Sequence, residues 1–225
     1  MPQVQPSSVT LDFEKAAMNA VTDSFPGTSI HGCFYHLSQS VYQHVQAAGL
    51  QEHYRTDENL ALAVRMLPAL TFIPVDHVVE AFEKLEDLAS DEIMPVMDYF
   101  ADIYIGRLCR RRQRAQPTFP VDVWNVYNNV QNSLPRTNNS VEGWNRKIQT
   151  AVSAHHPNIW RFLGILKREQ GINNTHIDQL LRGHSPLAQR KKYRDNNARI
   201  MKIVREFEVR ETVDFLRGIA HNIAF

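Results

Sequence analysis

A chain of 225 residues with 43% apolar and 22% charged side chains has enough material for one large core or two modest ones, and no low-complexity tract argues for disorder. No apolar run approaches the ~20 residues that span a bilayer, and residues 1–11 lack the basic and apolar blocks of a secretory leader, so neither a membrane nor a secreted protein is expected. The net charge of +1 conceals an asymmetry: residues 1–135 hold 9 basic and 16 acidic side chains, whereas residues 136–225 hold 16 basic and 8 acidic. Such a positive excess suits a polyanion, or equally the chain's own acidic half.

In chain order, "SSVTLDFEKAAMNAVTDSF" reads as a short strand over Val9–Asp12 followed by a helix from Phe13 to Thr22, and "PGT" then turns the chain. The next β-prone run is "SIHGCFYHL". "SQSVYQHVQAAGL" is a helix ending at Gly49. Strand, helix, strand, helix is the pattern of a parallel crossover unit. From Thr56 to Tyr104 the pattern is helical throughout, with Pro68, Pro74 and Pro95 marking breaks or first turns. "RLCRRRQRAQPTFP" places five arginines between 107 and 114. "VDVWNVYNNV" is a short helix or irregular segment, and a further helix begins near Asn138 or Asn139. "NIWRFLGILKREQGIN" spaces Ile159, Phe162, Leu163 and Leu166 as an amphipathic stripe, and the remaining segments are helical too. No internal repeat is present.

Asp12 stands where a strand runs into a helix, the end of an open α/β sheet that usually places ligand-binding side chains; the plainer reading is a helix N-cap. Glu142 lies in "LPRTNNSVEGWNRKIQ" among Arg136, Asn138, Asn139, Arg146 and Lys147, which suit phosphates, and Trp144, which suits stacking. Its spacing from Asn139 also fits a capping box. Two such carboxylates, converging from distant parts of the chain, suit Mg²⁺ on a phosphate substrate. Cys33 and His36, at i and i+3, are half a zinc site at most, with a buried thiol beside a hydrogen-bonded imidazole as the alternative. With Cys109 the only other cysteine, no disulfide framework arises. The arginine run, Arg110, Arg111 and Arg112 included, reads as a nucleic-acid contact or a solvated helix end. "QRKKYRDNNAR", 189–199, carries the same ambiguity.

Taken together and in order, "LDFEKAAMNA", "GCFYH", "YFADIYIG", "WNVYNNV", "PRTNNSVEGWNR" and "FLRGIAHNI" resemble the transposase domain of Mutator-like elements (MULE), over almost the whole chain. The resemblance implies a ribonuclease H-like core and a DDE triad of three carboxylates that uses Mg²⁺ or Mn²⁺ for DNA transposition in the nucleus. On that mapping Asp12 is the second carboxylate, Glu142 the third, and Cys33 and His36 match a C-x-x-H motif. Only eleven residues precede Asp12, so the first aspartate has no counterpart here and the sequence is expected to be a C-terminal segment without activity of its own.

The resulting expectation is a mainly α-helical α+β chain: a partial ribonuclease H-like core with short parallel strands over 1–50, a helical insertion over 51–134, and a core-completing helix with C-terminal helices over 135–225. Catalytic and Mg-binding roles fall to Asp12 and Glu142, and DNA contact to Arg110, Arg111, Arg112, Arg136, Asn139, Arg146 and Lys147. The expected partners are DNA and a second copy of the chain, with no membrane and no small-molecule substrate. The rival expectation is a nonenzymatic nuclear module that binds DNA or protein.

Overall fold

A computed structural model describes residues 5–109, 113–152, 158–185 and 190–223. The architecture is α+β and mainly helical, as expected, with two short parallel strands among the described residues. Strand β1 (Ser8–Leu11) leads into α1 (Lys15–Ser24), and β2 (Ser29–Gly32) returns beside β1 in the register Val9↔Ile30 and Leu11↔Gly32. Helix α2 (Phe34–Ala47) starts earlier than the sequence pattern suggested, because "CFYHL" continues into the helix rather than extending the strand. It ends with Gly49 in the left-handed region at φ +74°, a conformation that glycine adopts without strain.

The helical stretch then runs through α3 (Gln51–Thr56), α4 (Glu58–Ala69), α5 (Val78–Leu88) and α6 (Met94–Phe100). Asp57 caps α4 by accepting from the amides of Asn59 at 2.8 Å and Leu60 at 3.3 Å. Pro68 lies inside α4 near its end, and Pro95 occupies the first turn of α6, where its missing N–H goes unnoticed. After the π turn Ala101–Ile105 come α7 (Val121–Trp124), α8 (Tyr127–Gln131), α9 (Asn139–Val152), α10 (Ile159–Leu181), α11 (Lys191–Arg205) and α12 (Thr212–Ala220).

Two compact units emerge: residues 1–137 with 195–225, and residues 138–194. Residues 135–225, read from the sequence as one part, contribute to both. The first unit has a continuous core in which α4 packs on α2 and α12, and Phe72, Phe82, Phe100, Tyr104, Trp124 and Phe215 are fully buried. Two of its buried polar side chains are satisfied locally. The Trp124 indole donates to the carbonyls of Tyr104 and Phe119, while Asn125 donates to Ile73 O at 2.7 Å and accepts from the Tyr127 amide at 2.9 Å. The second unit is a pair of helices, α9 and α10, with a small apolar contact of Ile148, Val152 and Ile165.

Gly106 ends the π turn at φ +93°, and a side chain there would overlap the Ala115 carbonyl oxygen. Gly106→Ala is therefore expected to destabilise the first unit by on the order of 1–3 kcal/mol from backbone strain alone. Urea denaturation followed by circular dichroism reads this as a lower midpoint at an unchanged slope.

Candidate functional site

The carboxyl end of the two-stranded sheet is fixed from below. A side chain at Gly32 would collide with the Phe13 ring, so the missing Cβ lets that ring lie against the strand. Phe13 in turn packs edge-on to Tyr104 and Phe119, with ring centroids 5.5 and 5.0 Å away. Anchoring Phe13 in this way holds its neighbour Asp12 at the sheet's rim. The ladder runs one residue past the strands, since the Cys33 amide donates to Leu11 O at 2.8 Å. Cys33 is fully buried at the start of α2.

Asp12 does not cap α1. Glu14 holds the cap position, with no hydrogen bond from its own side chain to the helix. The Asp12 carboxylate lies instead 2.9 Å from Nδ1 of His36, in the first turn of α2. Both side chains are partly exposed, at 55% and 26%, so the pair is modest in strength. A carboxylate beside a helix N-terminus is also favoured by the helix dipole.

Among the described residues no three His, Cys, Asp or Glu side chains come together as a metal site. Asp12 and His36 with a buried Cys33 thus make no cage for the Mg²⁺ or Mn²⁺ that the resemblance implies, which favours several hard oxygen ligands. Nor do Cys33 and His36 make a metal pair with a further ligand; the imidazole is engaged by Asp12 instead.

Arg136 closes this region from the other side. Its carbonyl accepts the Phe34 amide at 3.0 Å, and its guanidinium sits over the Phe72 and Phe34 rings, 5.7 and 6.0 Å from their centroids. Burial holds its pKa below the usual arginine value. Arg107 and Arg114 are tied to Asp102 and Glu83 at 2.6 and 2.8 Å, and Leu108 and Arg114 form an isolated antiparallel bridge rather than a helix end. Arg110, Arg111 and Arg112 lie outside the described residues.

On the second unit, Glu142 stands in the first turn of α9. Helical periodicity puts Asn139, Glu142, Asn145, Arg146 and Gln149 on one polar face, beside the apolar arc of Val141, Trp144, Ile148 and Val152. Asn139, Asn145, Arg146 and Gln149 are exposed, as a surface that meets phosphates and base edges requires. Lys147, about 100° round the helix from Arg146, lies off that face and pairs with Glu169 of α10 at 2.7 Å. Glu169 is only 7% exposed. It interrupts the apolar stripe of α10 four residues after Ile165, a spacing visible in the sequence that marks it as a buried carboxylate in need of a partner. Asp12 belongs to the first unit and Glu142 to the second, so the two-carboxylate reading has its parts on separate bodies.

His31 on β2 stands outside every motif of the sequence. Its Nδ1 is buried and has no hydrogen-bond partner among the described residues. Burial lowers its pKa below the ordinary histidine value, with the Asp122 carboxylate opposing the shift.

Comparison of the chain with protein-family models, curated proteins and solved structures finds no match.

Two measurements follow from these contacts. Because His31 binds a proton less readily folded than unfolded, stability is full above the unfolded pKa of about 6.5 and declines as the pH falls through it. In His31→Gln this decline is expected to be shallower between about pH 7 and 5, as read by denaturant midpoints across that range. Lys147→Met strands the buried Glu169 carboxylate and is expected to destabilise the α9–α10 pair by about 1–3 kcal/mol. Arg146→Met is expected to change stability by less than about 0.5 kcal/mol; hydrogen exchange of the amides in α9 and α10 separates the two.

Proposed function

We propose that this chain derives from a MULE-type DDE transposase and acts on DNA. The observation that carries the reading is Asp12 at the carboxyl end of a parallel β-α-β-α unit, the position at which open α/β sheets hold catalytic carboxylates. The polar face of α9, with Glu142 among Asn139, Asn145 and Arg146, supports it. So does charge: residues 138–194 hold 10 basic and 3 acidic side chains. In the complete protein a ribonuclease H-like core would cut and join DNA in the nucleus with Mg²⁺ or Mn²⁺, using Asp12, Glu142 and a further acid that has no counterpart in this sequence. What its own residues do on this reading is hold the substrate: Asn139 and Arg146 contact phosphates, and Arg136 braces the loop before α9.

A second reading, a nonenzymatic DNA-binding module that kept the scaffold, draws on the Asp12–His36 pair, which occupies the carboxylate with a protein partner. The two readings share DNA and differ in chemistry. Duplex binding measured by fluorescence anisotropy is expected to weaken steeply as salt rises; absence of binding overturns both. A longer chain that supplies an upstream aspartate strand is expected to nick DNA in Mg²⁺, and to lose this to background in Asp12→Asn and in Glu142→Gln. Nicking untouched by either substitution defeats the carboxylate assignment, and binding without nicking in the longer chain leaves the second reading standing.

A further inference from the structure

Helix α10 has two faces. One carries Phe162, Ile165, Leu166 and Glu169 and packs on α9. The other, at about 100° per residue, carries Trp160, Arg161, Lys167, Arg168, Thr175 and Arg182. All six are exposed, Trp160 at 77%. None of the four cations forms an ion pair with a described residue. Arg161, Lys167 and Arg168 have no acidic side chain three or four residues away on the helix; only Arg182, the C-cap, has one, Asp178, which lies on the same face. Arg161 even lies in the first turn, where the helix dipole disfavours a cation. Within the helix, Arg168 donates to the Gly164 carbonyl at 3.3 Å and Thr175 to the Gly171 carbonyl at 3.0 Å, and neither bond neutralises a cation.

Gly164 and Gly171 fall within the same arc. A Cβ at either would meet nothing within 4 Å, so internal packing does not require them, although glycine is less favourable than alanine inside a helix. Their effect is to lower the surface between Arg161, Lys167 and Arg168, which lets a bulky partner approach the helix closely.

We propose that this face of α10 is a contact with the phosphate backbone of duplex DNA, additional to the polar face of α9; the proposal rests on the DNA reading above. From Arg161 to Arg182 the stripe covers about 32 Å of helix, a length along which a duplex presents phosphates every ~1.7 Å of axis. A single exposed aromatic on the face, Trp160, provides no ladder for stacking successive bases, which disfavours single strands. On its apolar side α10 is engaged by α9 around Ile165, while Ile172, Ile177, Leu180 and Leu181 are exposed, so anionic vesicles are the competing ligand that the test below includes.

The test uses the full chain and a random-sequence duplex, with affinity followed by fluorescence anisotropy over a salt series. Arg161→Gln, Lys167→Gln, Arg168→Gln and Arg182→Gln combined are expected to lower affinity at least about tenfold and to reduce the slope of log K against log salt by about 3–4, near 0.9 for each phosphate that the variant no longer neutralises. A variant that keeps its circular dichroism spectrum and the wild-type slope overturns the proposal while leaving the DNA reading intact, whereas a wild-type chain that does not bind DNA overturns both. Equal binding to polyglutamate, or a loss seen only on anionic vesicles, also overturns it. Gly164→Ala with Gly171→Ala provides a readout that a structural role would not produce: a higher melting temperature together with weaker DNA binding. Tighter or unchanged binding in that variant counts against close approach and overturns the proposed DNA face.

Discussion

The contact on which the first unit's geometry depends is the seating of Phe13 against Gly32. Two strands of four residues each expose apolar faces and unpaired edges that a sheet of this size cannot protect by itself. The Phe13 ring fills one of those faces and ties it to Tyr104 and Phe119 of the helical core. The same contact sets Asp12 at the rim, and the Cys33–Leu11 hydrogen bond then brings the first turn of α2, with His36, up to it. Small parts of the chain, each weak alone, are held in place because the helices behind them are packed.

Electrostatics divides the molecule differently from packing. Residues 138–194 carry a net +7, from 10 basic and 3 acidic side chains, and the rest of the chain carries −6, from 15 basic and 21 acidic. In the acidic unit most arginines near the site are spoken for: Arg107 and Arg114 by carboxylates, Arg136 by aromatic rings. In the basic unit Lys147 is neutralised by Glu169, while Arg146 and the α10 cations remain presented. An arginine-rich sequence is thus a poor guide to where a polyanion is met, because a carboxylate or an aromatic face within reach removes the charge from the surface as effectively as its absence.

Much of the fold was readable from local pattern. The crossover unit, the helical character from Thr56 to Tyr104, the break at Pro74 and the first-turn place of Pro95 follow from periodicity and turn chemistry, which depend on neighbours a few residues apart, whereas Pro68 is carried inside α4. The start of α2 was less legible, since "CFYHL" is aromatic and apolar enough for a strand; its helical state is imposed by packing in the core. Asp12 was readable as a helix cap and as a rim carboxylate; in the structure Glu14 takes the cap position and Asp12 lies beside His36.

By itself the sequence determined the helical character, the parallel pairing of two strands through a crossover and the charge split between its parts, because each is written in residue types and their spacing. Tertiary structure alone decided that Asp12 meets His36, that Arg136 turns onto Phe34 and Phe72, and that Lys147 pairs with Glu169. Those are choices among partners distant in the chain, and the free energy that selects them comes from burial and charge pairing that exist only once the helices have packed.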